Sequence, residues 1–94
     1  MIKPTVGRVV WYWGPQSLEL VFQPQAAIIA WVHSDELVNL AVFDAFGQSS
    51  GRTSVLLYQG DGQRPEGEKC EWMPYQLGQA ARELHPVVTM PIGG

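Results

Sequence analysis

The stretch Ala26–Phe43, AAIIAWVHSDELVNLAVF, decides the fold. Its first run, Ala26–His33 (AAIIAWVH), and its last, Leu37–Phe43 (LVNLAVF), are rich in apolar, β-branched and aromatic residues. Only the polar link Ser34-Asp35-Glu36 separates them. Two apolar runs joined by so short a polar link predict a β-hairpin, with the Asp35 carboxylate bonding backbone amides of the turn. Along the first strand Ala26, Ile28, Ala30 and Val32 share one face, and Ala27, Ile29, Trp31 and His33 the other. Both faces are apolar, whereas a strand buried on one side alternates apolar with polar. Either a barrel closes on one face and a partner covers the other, or a helix lies across it.

Outward from the hairpin, Val6–Trp13 (VGRVVWYW) reads as a preceding strand stopped by Gly14-Pro15. Residues 14–24 form a connection with a short strand-like stretch in which Leu18, Leu20 and Phe22 alternate with Glu19, Val21 and Gln23. On the other side, DAFGQSSG (44–51) is a turn-rich link into a fourth strand, Arg52–Tyr58. The polar, glycine-rich QGDGQRPEGE (59–68) reads as a mobile loop. A short fifth strand, Lys69–Met73, is stopped by Pro74. Tyr75–Leu84 favours helix through Ala80, Ala81, Arg82 and Leu84, is weakened by Gly78, and ends at His85-Pro86. The tail, residues 85–94, has no obvious place in the barrel and is expected either to add an edge strand or to extend to a neighbouring subunit. The prediction is a single domain over 1–94: mainly β, a small five-stranded SH3-like barrel with a short C-terminal helix.

Composition narrows the function. The chain has 94 residues, of which 16% are charged, against roughly 25% in ordinary soluble domains. It carries four Trp, three Tyr and three Phe. A fold of this size has little interior for so many rings, so some lie at the surface or in an interface. The net charge is −3, and six scattered Lys and Arg make no phosphate-binding surface. That argues against long nucleic acid and against an anionic membrane. A small nucleotide, which needs one or two Arg and an aromatic face, stays open. No apolar run approaches the roughly 20 residues of a membrane span. Residues 1–20 lack the basic-then-apolar order of a signal peptide. The one cysteine, Cys70, forms no intrachain disulfide, which suits the cytoplasm.

Three segments, KPTVGRVVWYW (3–13), AAIIAWVHSDELVNLAVFD (26–44) and CEWMPYQLGQAA (70–81), together resemble a group of small proteins encoded by tailed bacteriophages and prophages. Members open with K-P-x-V-G-R-[IV]-V, continue with an A-A-[IV]-[IV] strand, a His- or Trp-containing turn and a [VL]-[NS]-L-x-V-F strand, and close near a Trp-containing strand. The resemblance covers most of residues 3–81. It implies a small SH3-like barrel and a phage origin, hence the cytoplasm of the host or the virion. It assigns no activity.

The residues carry no catalytic signature. His33 and His85 are far apart in sequence, Cys70 is alone, and no CxxC, HxxxH or HExxH spacing occurs. His33-Ser34-Asp35 are successive turn neighbours, which rarely adopt triad geometry. Neither GxGxxG nor GxxxxGK[ST] is present, and Gly60-Asp61-Gly62 precedes no helix. No cofactor and no enzymatic activity are expected.

The aromatics and arginines are the informative residues. Trp11 or Trp13 is expected in the core. Trp72-Met73-Pro74-Tyr75 is similar in outline to the Trp…Pro…Tyr groove elements of peptide-binding SH3 domains, at different spacing. Arg8 and Arg52 either grip an anion beside aromatic rings or pair with Asp44 or Glu71. Parity puts Trp31 with His33 on one strand face and Arg52 with Tyr58 on another, which predicts one shared surface if those faces adjoin. The candidate binding residues are therefore Trp31, His33, Arg52, Tyr58, Arg8, Trp72 and Tyr75. The leading reading is a non-enzymatic binding module acting on a host or phage protein and on its own copies, as a dimer first. The alternatives are a counter-defence protein that sequesters a small nucleotide signal, and a minor head or tail component of the virion.

Overall fold

The computed structural model describes residues 1–14 and 23–84, with side chains as far as residue 79. The strand-like stretch expected at 18–22 and the tail at 85–94 lie outside the described residues. Five strands, β1 (Val9–Trp13), β2 (Gln25–Ser34), β3 (Leu37–Phe43), β4 (Ser49–Tyr58) and β5 (Lys69–Glu71), are followed by the helix α1 (Pro74–Leu84). They form a closed barrel in sequence order, the mainly β architecture that the sequence predicts. Strands β1 to β4 are a meander of antiparallel neighbours. Strand β5 closes the barrel, antiparallel to β1 and parallel to β4. The β4–β5 ladder is short, Leu57 with Cys70 and Tyr58 with Glu71, so among the described residues Ser49–Leu56 of β4 have no ladder partner on the β5 side.

The β2–β3 hairpin is as predicted, and β3 shows the clearest alternation. Val38, Leu40 and Val42 are buried, while Leu37, Asn39, Ala41 and Phe43 are half-buried on the outer face. The turn differs in its bonding: the Ser34 hydroxyl, not Asp35, accepts the Glu36 amide at 3.2 Å. The role expected of Asp35 falls instead to Asp44 in the β3–β4 link. Asp44 Oδ1 accepts the amides of Phe46 at 2.8 Å and Gln48 at 2.9 Å. Gly47 in that link has φ +85°, a conformation side chains resist. So tight a link lets β4 begin at Ser49, three residues before the expected Arg52.

Strand β1 begins at Val9 rather than Val6, because Gly7 turns the chain with φ +97°. The core residues of β1 are Val10 and Tyr12, not Trp11 or Trp13. An alternating string such as VVWYW fits the sheet in either parity, and pairing decides. Val10 faces buried Ala27 across the ladder. The Tyr12 ring fills the interior while its hydroxyl reaches the rim and donates to Glu68 at 2.6 Å. Both tryptophans stay half-buried on the outside.

The core comprises Val10, Tyr12, Ala27, Ile29, Val38, Leu40, Val42, Val55, Leu57, Cys70 and Trp72. Strand β5 ends at Glu71, two residues short of the expectation. Pro74 both stops it and opens α1, where a missing amide does no harm. Gln76 Oε1 accepts the Met73 amide at 2.7 Å, which caps the helix start. Leu77 packs at Gly60, and Gln76 Nε2 donates to the Val9 carbonyl at 2.8 Å.

Loop 59–68 is held rather than loose. Gln59 is buried and makes four hydrogen bonds: its Oε1 accepts from Ile2 N and Trp72 Nε1, and its Nε2 donates to the carbonyls of Ile2 and Asp35. Further on, Tyr58 Oη donates to the Gly62 carbonyl at 3.1 Å, and Arg64 bonds both oxygens of Glu71. Glycine-rich composition predicts mobility only where no side chain ties the loop down, and here Gln59 and Arg64 reach out of it while Tyr58 reaches in.

Candidate functional site

Two β-bulges flank Asn39 and set what the outer surface presents. In the β2–β3 ladder Ile29 faces Leu40 and Trp31 faces Asn39, which leaves Ala30 without a partner. One extra residue reverses the parity beyond it, as far as a further register shift between Val32 and Ser34 at the turn end of the hairpin. Ala27 and Ile29 therefore point inward, as expected, but Trp31 and His33 point outward and Val32 takes the inner side. Trp31 is 60% exposed. The expectation that Ala27, Ile29, Trp31 and His33 share one face fails for this reason.

The second bulge is in β4. Val38 faces Val55 and Leu40 faces Arg52, so Asn39 lies opposite both Thr53 and Ser54. Ser54 has φ +56°, the left-handed region, which a residue other than glycine occupies at a cost of about 1 kcal/mol or more. Asn39 Oδ1 stabilises that geometry by accepting the Ser54 amide at 2.8 Å. The same oxygen lies 2.9 Å from His33 Nε2. One side chain thus ties His33, Asn39 and the strained Ser54 together beside Trp31.

The β4 bulge separates Arg52 from Tyr58. Arg52 faces buried Leu40 and lies on the inner side at the open end of the barrel, close enough to Tyr12 for its charge to act on that hydroxyl. Tyr58 lies on the outer side, opposite Glu71. The predicted shared surface of Trp31, His33, Arg52 and Tyr58 is not formed: Trp31 and His33 are together, Arg52 is on the opposite side of the sheet, and Tyr58 lies near β5. Trp72 is 2% exposed and belongs to the core, its indole N–H donating to Gln59 at 2.9 Å. Tyr75 is exposed on the first turn of α1, where its hydroxyl accepts from Gln79 at 3.0 Å. With Trp72 inside, Trp72 and Tyr75 line no common groove. Arg8 pairs with no carboxylate among the described residues; its guanidinium lies 5.6 Å from the centroid of the Trp72 ring and covers that end of the core. Among the described residues the ion pair present is Arg64 with Glu71 at 3.1 Å, with Arg64 also over the Trp13 ring at 5.4 Å.

What remains is an uncharged outer face. Across β1, β2, β3 and the first half of β4 the ladder aligns Val9 with Ile28, Ile28 with Ala41, and Ala41 with Gly51. Val9 and Ile28 are exposed, and Trp31 lies off this row, three residues along β2 from Ile28 and opposite Asn39. No Asp, Glu, Lys or Arg of these strands points to that side. Sequence reasoning identified Trp31 and the doubly apolar β2 but missed Asn39, Ser54 and Gln59. A lone Asn inside LVNLAVF was the available signal for the first.

The buried titratable groups are chemically quiet. Burial, the bond to Glu68 and the Glu68 charge push the Tyr12 hydroxyl up to about 12. Burial and the nearby charges of Glu71 and Glu68 push the Cys70 thiol up to about 12, which keeps it protonated and unreactive. Burial holds Lys69 below its ordinary value, and its ammonium donates to the Gly67 carbonyl at 3.2 Å. Among the described residues no group of three His, Cys, Asp or Glu side chains is placed to hold a metal ion, and no helix is long and apolar enough to cross a membrane. No protein-family model, curated protein or solved structure matches the chain.

Proposed function

We propose that this chain is a non-enzymatic binding module, a small accessory protein of a tailed bacteriophage or prophage that engages a protein partner through the outer face bearing Trp31. The observation that carries the reading is the bulge at Ala30. The unbroken parity of β2 would send Trp31 into the barrel after Ile29, and the inserted residue turns it into solvent instead. Bulges that re-aim a side chain concentrate at functional sites, and large aromatics are enriched among the anchors of protein interfaces. The strained Ser54 and its Asn39 support lie beside the same side chain.

A photo-crosslinking amino acid placed at position 31, and as a control at position 61, tests the proposal in cells producing the full chain from its phage. Adducts of protein mass are expected at position 31 and not at position 61. Equal yields at the two positions, or an adduct of small-molecule mass at position 31, would overturn it. Mass spectrometry of purified virions, run on the same stocks, distinguishes a virion component from an accessory protein.

A further inference from the structure

We infer that Asn39 is the positioning residue of the face that bears Trp31: one side-chain oxygen holds the bulged registers of both neighbouring strands, and so keeps Trp31 on that face and Arg52 off it. Its role there rests on the reading of that face as a binding surface, and names what sets its composition. A strand takes its register from the side it must bury, and a strand without such a side is weakly specified. The first half of β4 is of that kind. Ser49, Ser50, Gly51, Arg52, Thr53 and Ser54 are all exposed, and none carries a large apolar side chain. On the β5 side this stretch has no ladder partner among the described residues. Stepped without a break from the Val38–Val55 pair, the ladder would set Ala41 opposite Arg52 and place the guanidinium on the outer face. The register observed is one residue away, with Ala41 opposite Gly51 and Leu40 opposite Arg52. Strand β2 is equally undecided, since AAIIAWVH is apolar on both faces. Stepped without a break from Ile29–Leu40, it would set Trp31 opposite buried Val38, on the inner side, and turn His33 inward with it.

Asn39 discriminates between these registers. Its Oδ1 accepts the Ser54 amide at 2.8 Å and lies 2.9 Å from His33 Nε2, which donates to it. In an unbroken ladder a strand amide lies in the plane of the sheet, while side chains stand out of that plane. The bulge, with Ser54 at φ +56°, is what brings the Ser54 amide to the Asn39 side chain. The bond to His33 likewise requires His33 on the outer side, which the extra residue in β2 supplies. Both bonds therefore exist only in the bulged registers. Asn39 is the one polar residue of β3, and asparagine is a poor strand former. These two bonds account for its place among Val38, Leu40 and Val42, and the outer face is uncharged because they hold.

Interstrand proton NOEs of the full chain in solution read the register. In the wild type they are expected between Ala41 and Gly51 and between Leu40 and Arg52. Asn39→Val suits a strand but accepts no hydrogen bond. It is expected to move the contact of Ala41 from Gly51 to Arg52 and to speed hydrogen exchange of the Ser54 amide about tenfold. Asn39→Asp keeps the acceptor and is expected to keep the wild-type pairings. In the Asn39→Val background the photo-crosslinker at position 31 is expected to lose its protein adducts. Unmoved NOEs in Asn39→Val overturn the inference, as do undiminished adducts once the pairings have moved. Should that variant not fold, a wild-type Ser54 amide that exchanges as freely as one in water overturns it instead. If the pairings move but position 31 of the wild type yields no protein adduct, the register role of Asn39 stands and the binding-module reading falls.

Discussion

Replacing Gln59 with leucine should destabilise this barrel far more than an ordinary change at the end of a strand. Gln59 is 7% exposed and all four of its hydrogen-bonding positions are used. Leucine keeps nearly the same volume and bonds none of the partners. The Trp72 indole N–H, inside the core, would lose its acceptor, at about 1–3 kcal/mol for a buried unpaired donor. The amide and carbonyl of Ile2 would each lose a part-buried bond, at about 0.5–1.5 kcal/mol. The Asp35 carbonyl sits in an exposed turn and rehydrates. Burying an isobutyl group in place of an amide returns roughly 1–2 kcal/mol. The net loss is about 3 kcal/mol, a large share of the stability of any small domain. At about 4–8 °C per kcal/mol that lowers Tm by roughly 15 °C. Guanidinium unfolding followed by tryptophan fluorescence measures the change, and Trp72→Phe supplies a cycle. Because phenylalanine has no donor to strand, the double variant should be less destabilised than the sum of the singles by about 1 kcal/mol. A loss below about 0.5 kcal/mol for Gln59→Leu, or strict additivity in the cycle, would refute the assignment of Gln59 as the tie between the N-terminal segment, the hairpin turn and Trp72.

Stability should fall steeply at alkaline pH. The Cys70 thiol moves from its ordinary 9.0, and the Tyr12 hydroxyl from 10.0, each to about 12 on folding. Between those values the unfolded chain has lost protons that the native chain retains, so unfolding is favoured as pH rises from about 9 to 12, by several kcal/mol at the top of the range. Chemical denaturation across that window checks it, and a flat profile would contradict the burial of both groups. In the same range below unfolding, the Cys70 thiol should resist a thiol reagent that labels the denatured chain at once. Asp44→Ala should cost about 1 kcal/mol, since it strips the acceptor from the amides of Phe46 and Gln48 at the start of β4. Thermal unfolding reads that loss, and an unchanged Tm would mean that Gly47 alone holds the link.

Local pattern decided much of this protein. The hairpin, the buried alternation of Val38, Leu40 and Val42, the strand content and the short helix after Pro74 follow from residue type and spacing. Each depends on contacts between near neighbours in the chain, and turn and strand preferences report those. The doubly apolar character of β2 also pointed to an outer surface that is uncharged. Which residues occupy it was another matter. VVWYW fits the sheet in two ways, and the choice of Tyr12 over its tryptophan neighbours came from the pairing with β2 and from Glu68, far along the chain. The loop after Tyr58 looked free because nothing in its composition announces Gln59, Arg64 and Glu68 as ties to distant strands.

The candidate site shows the division most sharply. Residue type alone singled out Trp31, but its direction, and the separation of Arg52 from Tyr58, were settled by two bulges beside Asn39. A bulge is one residue of mismatch between two strands and leaves no mark in either strand's own sequence. Beyond it every side chain changes sides, because the strand period is two. Composition and alternation determined that this chain forms a small β barrel with aromatic rings to spare. Only the register of the closed sheet, a property of pairs of strands, decided which ring faces the water.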